Sequence, residues 1–157
     1  MNLKKIITTL SFFLLLSCGY EPIYSKKQIN NNYNFSINTI NYIGDNKINQ
    51  ILKNKLRKTI NSEKKSTELN LNLNSRVSKT ITSKDKKGNP LKFLIEIIIN
   101  LEVYESEVLK GVKNFEKDFE YNNRSNKFDL KQYEKNIKNN LSSELSDKIN
   151  TYLNSVK

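Results

Sequence analysis

Between Leu69 and Val103 the chain carries two runs of apolar–polar alternation separated by turn residues, and no other feature restricts the fold as much. In the first run Leu69, Leu71, Leu73, Val77 and Ile81 alternate with Asn70, Asn72, Asn74, Arg76, Ser78 and Thr80. A helix would scatter those leucines around its circumference, whereas a strand places them all on one face. The second run, Leu91, Phe93, Ile95, Ile97, Ile99, Leu101 and Val103, keeps the same period. Leu94 and Ile98 add apolar surface to its opposite side, which predicts a central strand. Between the runs lies Lys84-Asp85-Lys86-Lys87-Gly88-Asn89-Pro90. Gly and Asn tolerate positive φ there, and Pro stops further ladder bonding. The pattern therefore predicts a long β-hairpin with a basic tip, its first arm covering 67–83.

The flanking segments complete a small layered fold. Tyr33, Phe35, Ile37, Thr39 and Ile43 fall on one side of an alternating stretch that ends at Gly44, predicting a first strand. Asp45 or Asn46 can cap the helix that follows, in which Ile48, Ile51, Leu52, Leu56 and Ile60 share a face for about 15 residues. A turn near Glu105–Glu107 leads to a fourth strand, about 108–121. Its alternation changes phase from Val108 and Val112 to Phe115, Phe119 and Tyr121, which predicts a β-bulge near Lys113 or Asn114. After a polar loop, Asp129 reads as the cap of a last helix, with Gln132 at N3 and Phe128 and Tyr133 as a hydrophobic staple. Leu130, Tyr133, Ile137, Leu141, Leu145, Ile149, Leu153 and Val156 form its apolar stripe. The order β-α-β-β-β-α implies an α+β two-layer sandwich: a four-stranded, mostly antiparallel sheet covered on one face by two helices.

The start of the chain reads differently. Lys4 and Lys5 precede an apolar run, Ile6 to Leu16, that falls short of the ~20 residues a membrane span needs and matches a secretory signal peptide. Leu15-Leu16-Ser17-Cys18 resembles a bacterial lipobox, in which the cysteine becomes the lipidated first residue. The expected organisation is a signal peptide over residues 1–17, an acylated tether over 18–32 and one α/β domain over 33–157. Loss of Lys4 and Lys5 leaves 25 of 27 basic side chains against 16 acidic ones, so the mature charge is near +9. That charge favours anionic partners, and export directs it away from nucleic acid and toward anionic lipid and glycolipid. Cys18 is the single cysteine and the chain has no histidine, which removes internal disulfides, the commonest general base, the thiol nucleophile and the usual zinc ligands. The carboxylates from Glu96 to Glu120 mostly alternate with apolar residues, as on a solvated sheet face, and the four glycines form no phosphate loop. The expectation is a protein that is not an enzyme and needs no metal.

The opening Cys18-Gly19-Tyr20-Glu21-Pro22-Ile23-Tyr24 resembles the start of mature LPS-assembly lipoproteins of the LptE family, and the order of elements is similar throughout. That resemblance implies diacylglycerol and an N-acyl chain (palmitate in the usual case) on Cys18. It places the protein on the periplasmic side of the outer membrane of a Gram-negative envelope, and Gly19 in place of an inner-membrane retention Asp agrees. It also implies an LptD-like β-barrel as partner, lipopolysaccharide as cargo, and no cofactor beyond the covalent lipid. In the family a basic residue just before the Gly of the hairpin loop is implicated in lipopolysaccharide contact. Lys86 and Lys87 hold that place here, a departure from the family's arginine, whose guanidinium fork is what gives bidentate recognition. Lys84, Lys86 and Lys87 at the tip, with Lys79 and Lys92 further down its arms, are the candidate contacts, since clustered ammonium groups bind phosphate as point charges. A tip made polar only by solvation is the plain alternative. Two other functions fit the same residues: a pilotin- or chaperone-like lipoprotein of another assembly system, and an independent module binding anionic glycan.

Overall fold

The structure, a computed structural model, describes residues 35–60 and 67–156. The expected signal peptide, Cys18, the expected tether and Tyr33 lie outside the described residues. Four strands and two helices follow in the order β1 (Phe35–Gly44), α1 (Asn46–Ile60), β2 (Thr67–Lys84), β3 (Pro90–Glu105), β4 (Val108–Asn122) and α2 (Lys127–Leu153). The expected β-α-β-β-β-α sandwich is thus the observed one. The strands lie side by side in sequence order, and the sheet is mixed: β1 runs parallel to β2, while β2–β3 and β3–β4 are antiparallel. A parallel pair needs a crossover, and α1 supplies it.

One face of the sheet forms the core with both helices. Leu69, Leu71 and Leu73 of β2 and Ile95, Ile97, Ile99, Leu101 and Val103 of β3 are buried against Ile48, Leu52 and Leu56 of α1 and Leu141, Leu145, Ile149 and Leu153 of α2. On both helices the buried residues recur every four positions, forming the i±4 ridges through which helices commonly interdigitate. Truncating one of these leucines or isoleucines to alanine costs about 2–5 kcal/mol. The opposite face carries the polar partners of the alternation and is covered by no helix or strand among the described residues.

Four local expectations are corrected. In β1 a register irregularity between Ile37 and Thr39 moves the inward set from Phe35 and Ile37 to Ile40 and Tyr42, leaving Thr39 and Ile43 exposed. In β4 the register shifts opposite Val103 and Tyr104, which pair with Gly111 and Leu109, so the extra residue is Lys110 and not Lys113 or Asn114. Val112 lies on the open face as the alternation requires, and no second shift is needed. The cap of α2 is Asn126, whose side-chain oxygen accepts the N–H groups of Phe128 and Asp129. Phe128 therefore sits inside the first turn, 75% exposed, and is not a staple. Ile81 and Leu91, inward by alternation, are exposed because they lie toward the hairpin end, beyond the best-covered part of the sheet. The cap of α1 is Asp45, accepting from Lys47 and Ile48 N–H at 2.9 Å each.

Two connections depend on left-handed backbone. Gly44 (φ 97°) ends β1, and a Cβ there would lie 1.9 Å from the Ser75 carbonyl oxygen. Ser106 and Glu107, with φ of 46° and 69°, make the two-residue loop between β3 and β4. Positive φ at both central positions is the mark of the primed turn that matches strand twist, here without the glycine that usually supplies it.

Candidate functional site

The hairpin tip is built around a single carboxylate. Asp85 accepts from the Lys87 N–H (2.8 Å), the Asn89 N–H (2.8 Å) and the Asn89 side-chain amide (2.9 Å). Its backbone N–H donates to the Asn89 carbonyl at 2.9 Å, and Gly88 N–H returns to the Asp85 carbonyl at 3.0 Å. The Asn89 side chain, then the backbone amides, hold the Asp85 carboxyl below its ordinary range. Gly88 closes the loop at φ 85°. With Asp85 occupied inward by its own backbone, Lys84, Lys86 and Lys87 are left exposed, and they form no ion pair with another described residue.

The two remaining candidates are not part of that cluster. Lys79 lies opposite Ile95, on the helix-covered face. Its ammonium donates to Glu134 Oε1 of α2 at 2.6 Å and stands 4.0 Å from the centre of the Phe93 ring. Tyr121 donates to the same Glu134 oxygen at 2.8 Å. Burial pushes the Glu134 carboxyl up, but the hydrogen bonds from Lys79 and Tyr121 outweigh it and hold the group below its ordinary value. Burial, followed by the Glu134 contact, raises the Tyr121 hydroxyl. Lys92, next to inward Phe93, points to the open face and donates to Glu120 Oε2 at 2.8 Å, which lowers the Glu120 carboxyl. The five lysines are therefore divided: three at the tip without an ion pair among the described residues, one pinning α2 to the sheet, and one paired on the opposite face. Parity already separates the two, because Lys79 is two steps from inward Val77 and shares its face, whereas Lys92 is one step from inward Phe93 and does not.

Other groups gather at the hairpin end. Arg124 lies 4.0 Å over the Tyr133 ring. Asn123 N–H donates to the Leu91 carbonyl at 2.8 Å, so the chain leaves β4 for α2 beside the hairpin arm that carries exposed Leu91. Exposed Ile81, Leu91 and Phe128 thus occur at the same end of the fold as the free lysines, a combination suited to anionic amphiphiles. Sequence reasoning assigned these three to core or staple, and only their place beyond the helix layer marks them as surface. Where β1 ends and α1 begins, a groove of about 310 Å³ is lined by Tyr42, Asn46, Lys47, Asn49, Gln50 and Lys53. Burial pushes the Tyr42 hydroxyl there up to about 12. Asn49 is engaged internally, donating to the Ile43 carbonyl and accepting from Ser75, which leaves the two lysines as the groove's charged groups. Among the described residues no three His, Cys, Asp or Glu side chains could hold a metal ion.

The fold has solved counterparts. A minor lipoprotein from Acinetobacter baumannii superposes with a TM-score of 0.59 at 10% identity, over 78% of this chain and 92% of that one. The rare lipoprotein B of Shewanella oneidensis gives 0.51 at 11% identity, over 73% and 96%. Lipoprotein B from Nitrosomonas europaea also gives 0.51 at 11%, over 71% and 79%. At these identities the likeness is one of fold. No family model matches the sequence, and no curated protein matches it.

Proposed function

We propose that this chain is a lipid-anchored lipoprotein of the outer membrane, of the LptE-like kind, that pairs with a large LptD-like β-barrel and assists passage of lipopolysaccharide to the outer leaflet without catalysing a reaction. The observation that carries the reading is the β-α-β-β-β-α sandwich, a fold it has in common with proteins named lipoproteins, standing behind a lipobox cysteine at Cys18. Acylation holds such a domain at the membrane at high effective concentration, and more than one chain is needed for stable anchoring. A polar, cationic exterior is compatible with a barrel lumen, which is itself polar. The lipopolysaccharide contact is assigned to Lys84, Lys86 and Lys87, which the Asp85 loop leaves unpaired, with Ile81, Leu91 and Phe128 as apolar neighbours for acyl chains.

The test is affinity purification of the tagged protein from native membranes in mild detergent. A large outer-membrane barrel recovered in stoichiometric amount supports the reading, and an acylated monomer alone overturns the partnership. The cargo assignment is tested separately by Lys86→Glu with Lys87→Glu. Losing two charge-assisted contacts at about 1 kcal/mol each is expected to weaken lipopolysaccharide binding at least roughly ten-fold, with an unchanged circular dichroism spectrum. Undiminished binding by the folded double variant would remove the tip from the site.

A further inference from the structure

β4 is the last strand of the sheet, and no described strand lies beyond it. It is long, Val108–Asn122, and its pairing with β3 runs from Gly111 to Asn122 without a register shift. An edge of this length presents a row of unpaired backbone donors and acceptors, which proteins normally blunt with short strands, bulges, prolines or lysines. Here the bulge at Lys110 lies near the beginning of the strand and leaves the remainder regular. Of the two inward-facing lysines on the strand, Lys117 is tied to Glu144 of α2 at 2.9 Å, and Lys113, opposite Leu101, lies before the stretch from Glu116 to Glu120. Apolar side chains stay in solvent along the strand, with Val112 61% and Phe119 44% exposed.

The open face beside this edge has an unusual charge. Glu116, Asp118 and Glu120 occupy successive outward positions of β4, and Glu96 of β3 sits directly opposite Asp118. Like charges directly opposite each other in a sheet are destabilising. Lys92–Glu120 is the ion pair here, while Glu116 and Asp118 have no cationic partner among the described residues. This acidic ladder stands on a chain whose formal net charge is +11. It also disfavours a second copy of the chain paired through this stretch. Antiparallel self-pairing centred on Asp118 would set that residue against itself and Glu116 against Glu120.

We infer that the β4 edge is a docking site for an extended segment of another protein, added as a fifth strand, with lysine or arginine at alternate positions facing Glu116, Asp118 and Glu120 and an apolar residue between them covering Phe119. Main-chain bonds along the edge supply affinity, and the ladder selects the alternating basic pattern. The inference does not rest on the lipopolysaccharide reading, because it uses the β4 edge and no lysine of the tip.

The test uses the full acylated chain in neutral detergent and a peptide of roughly nine residues with lysine at alternate positions and valine between them. Its controls are the same composition scrambled and the same pattern with glutamate for lysine. Affinity is read by fluorescence anisotropy, and the site by hydrogen exchange of backbone amides. The alternating lysine peptide is expected to bind at least ten-fold tighter than either control and to slow exchange in β4. Glu116→Lys with Asp118→Lys is expected to weaken that binding at least ten-fold. Asp118→Lys also replaces a repulsive pair with Glu96 by an attractive one, and an unchanged far-UV circular dichroism spectrum is required to show that the double variant stays folded. Failure to bind, equal binding of the scrambled peptide, slowed exchange elsewhere than β4, or binding indifferent to the charge reversal would each overturn the inference.

Discussion

Gly44→Ala and Gly88→Ala form a matched pair of perturbations. Both glycines have strongly positive φ, 97° and 85°. An alanine in left-handed backbone costs roughly 1–2 kcal/mol at either site. The surroundings differ. A Cβ on Gly88 meets nothing within 4 Å, whereas on Gly44 it would stand 1.9 Å from the Ser75 carbonyl oxygen and 2.9 Å from its carbon. Those are backbone atoms, and the oxygen accepts the Asp45 N–H at 3.0 Å. Ser75 is itself fixed, its hydroxyl donating to Asn49 Oδ1 at 2.7 Å in a buried position. Relief of the overlap must separate β1 from β2 where α1 begins, losing a hydrogen bond with a net value of about 0.5–1.5 kcal/mol and disturbing the α1 cap. The expected loss is about 1–2 kcal/mol for Gly88→Ala and about 2–4 kcal/mol for Gly44→Ala. Urea unfolding followed by far-UV circular dichroism measures both, with equal m-values required before midpoints are compared. The strain cancels between the two variants, so their difference isolates the steric contribution. Losses equal to within about 0.5 kcal/mol would refute the reasoning.

Three further outcomes follow from particular side chains. Ser142 and Ser146 are fully buried on α2 with hydroxyls that lack a partner among the described residues, so Ser142→Ala and Ser146→Ala are each expected to raise stability by about 1 kcal/mol, read as later urea midpoints. Glu107→Gly relieves a side chain from φ 69° in the β3–β4 loop and is expected to add about 0.5–1 kcal/mol, read as a higher thermal midpoint. The Glu134 carboxyl is held low in the folded state by Lys79 and Tyr121 against burial. Its contribution is therefore present above the unfolded carboxylate range and lost as pH falls through the folded value. Lys79→Met is expected to flatten that acid limb, measured as urea midpoints at neutral pH and at about pH 3.5.

Much of this architecture was legible because strand periodicity is a local property. Alternation from Leu91 to Val103 specifies which side chains share a face wherever the strand lies, and the observed burial of Phe93 through Val103 follows it. The i, i+4 rows of α1 and α2 are local in the same sense. The tip, too, could be read, since a Lys-rich loop with Asp, Gly and Asn carries its own turn chemistry. Capping of α2 by Asn126 in preference to Asp129 was not legible, because both residues can accept backbone N–H groups and the choice depends on where the loop after β4 releases the chain.

Sequence alone thus determined the element order, the two-layer class, the apolar face of each element and the basic hairpin tip, because each is set by residue spacing within one segment. Tertiary structure decided that β1 pairs parallel with β2, that the irregularity after Ile37 reverses the faces of its strand, and that the sheet order is sequential. It also divided the five lysines, giving Lys79 to Glu134 and Lys92 to Glu120 while leaving three without an ion pair among the described residues. It left Ile81, Leu91, Val112 and Phe119 in solvent although their apolar character matches that of the core. The reason is common to all of these: pairing, ion-pair choice and coverage depend on which distant segments arrive alongside, and spacing within a segment carries no information about its neighbours.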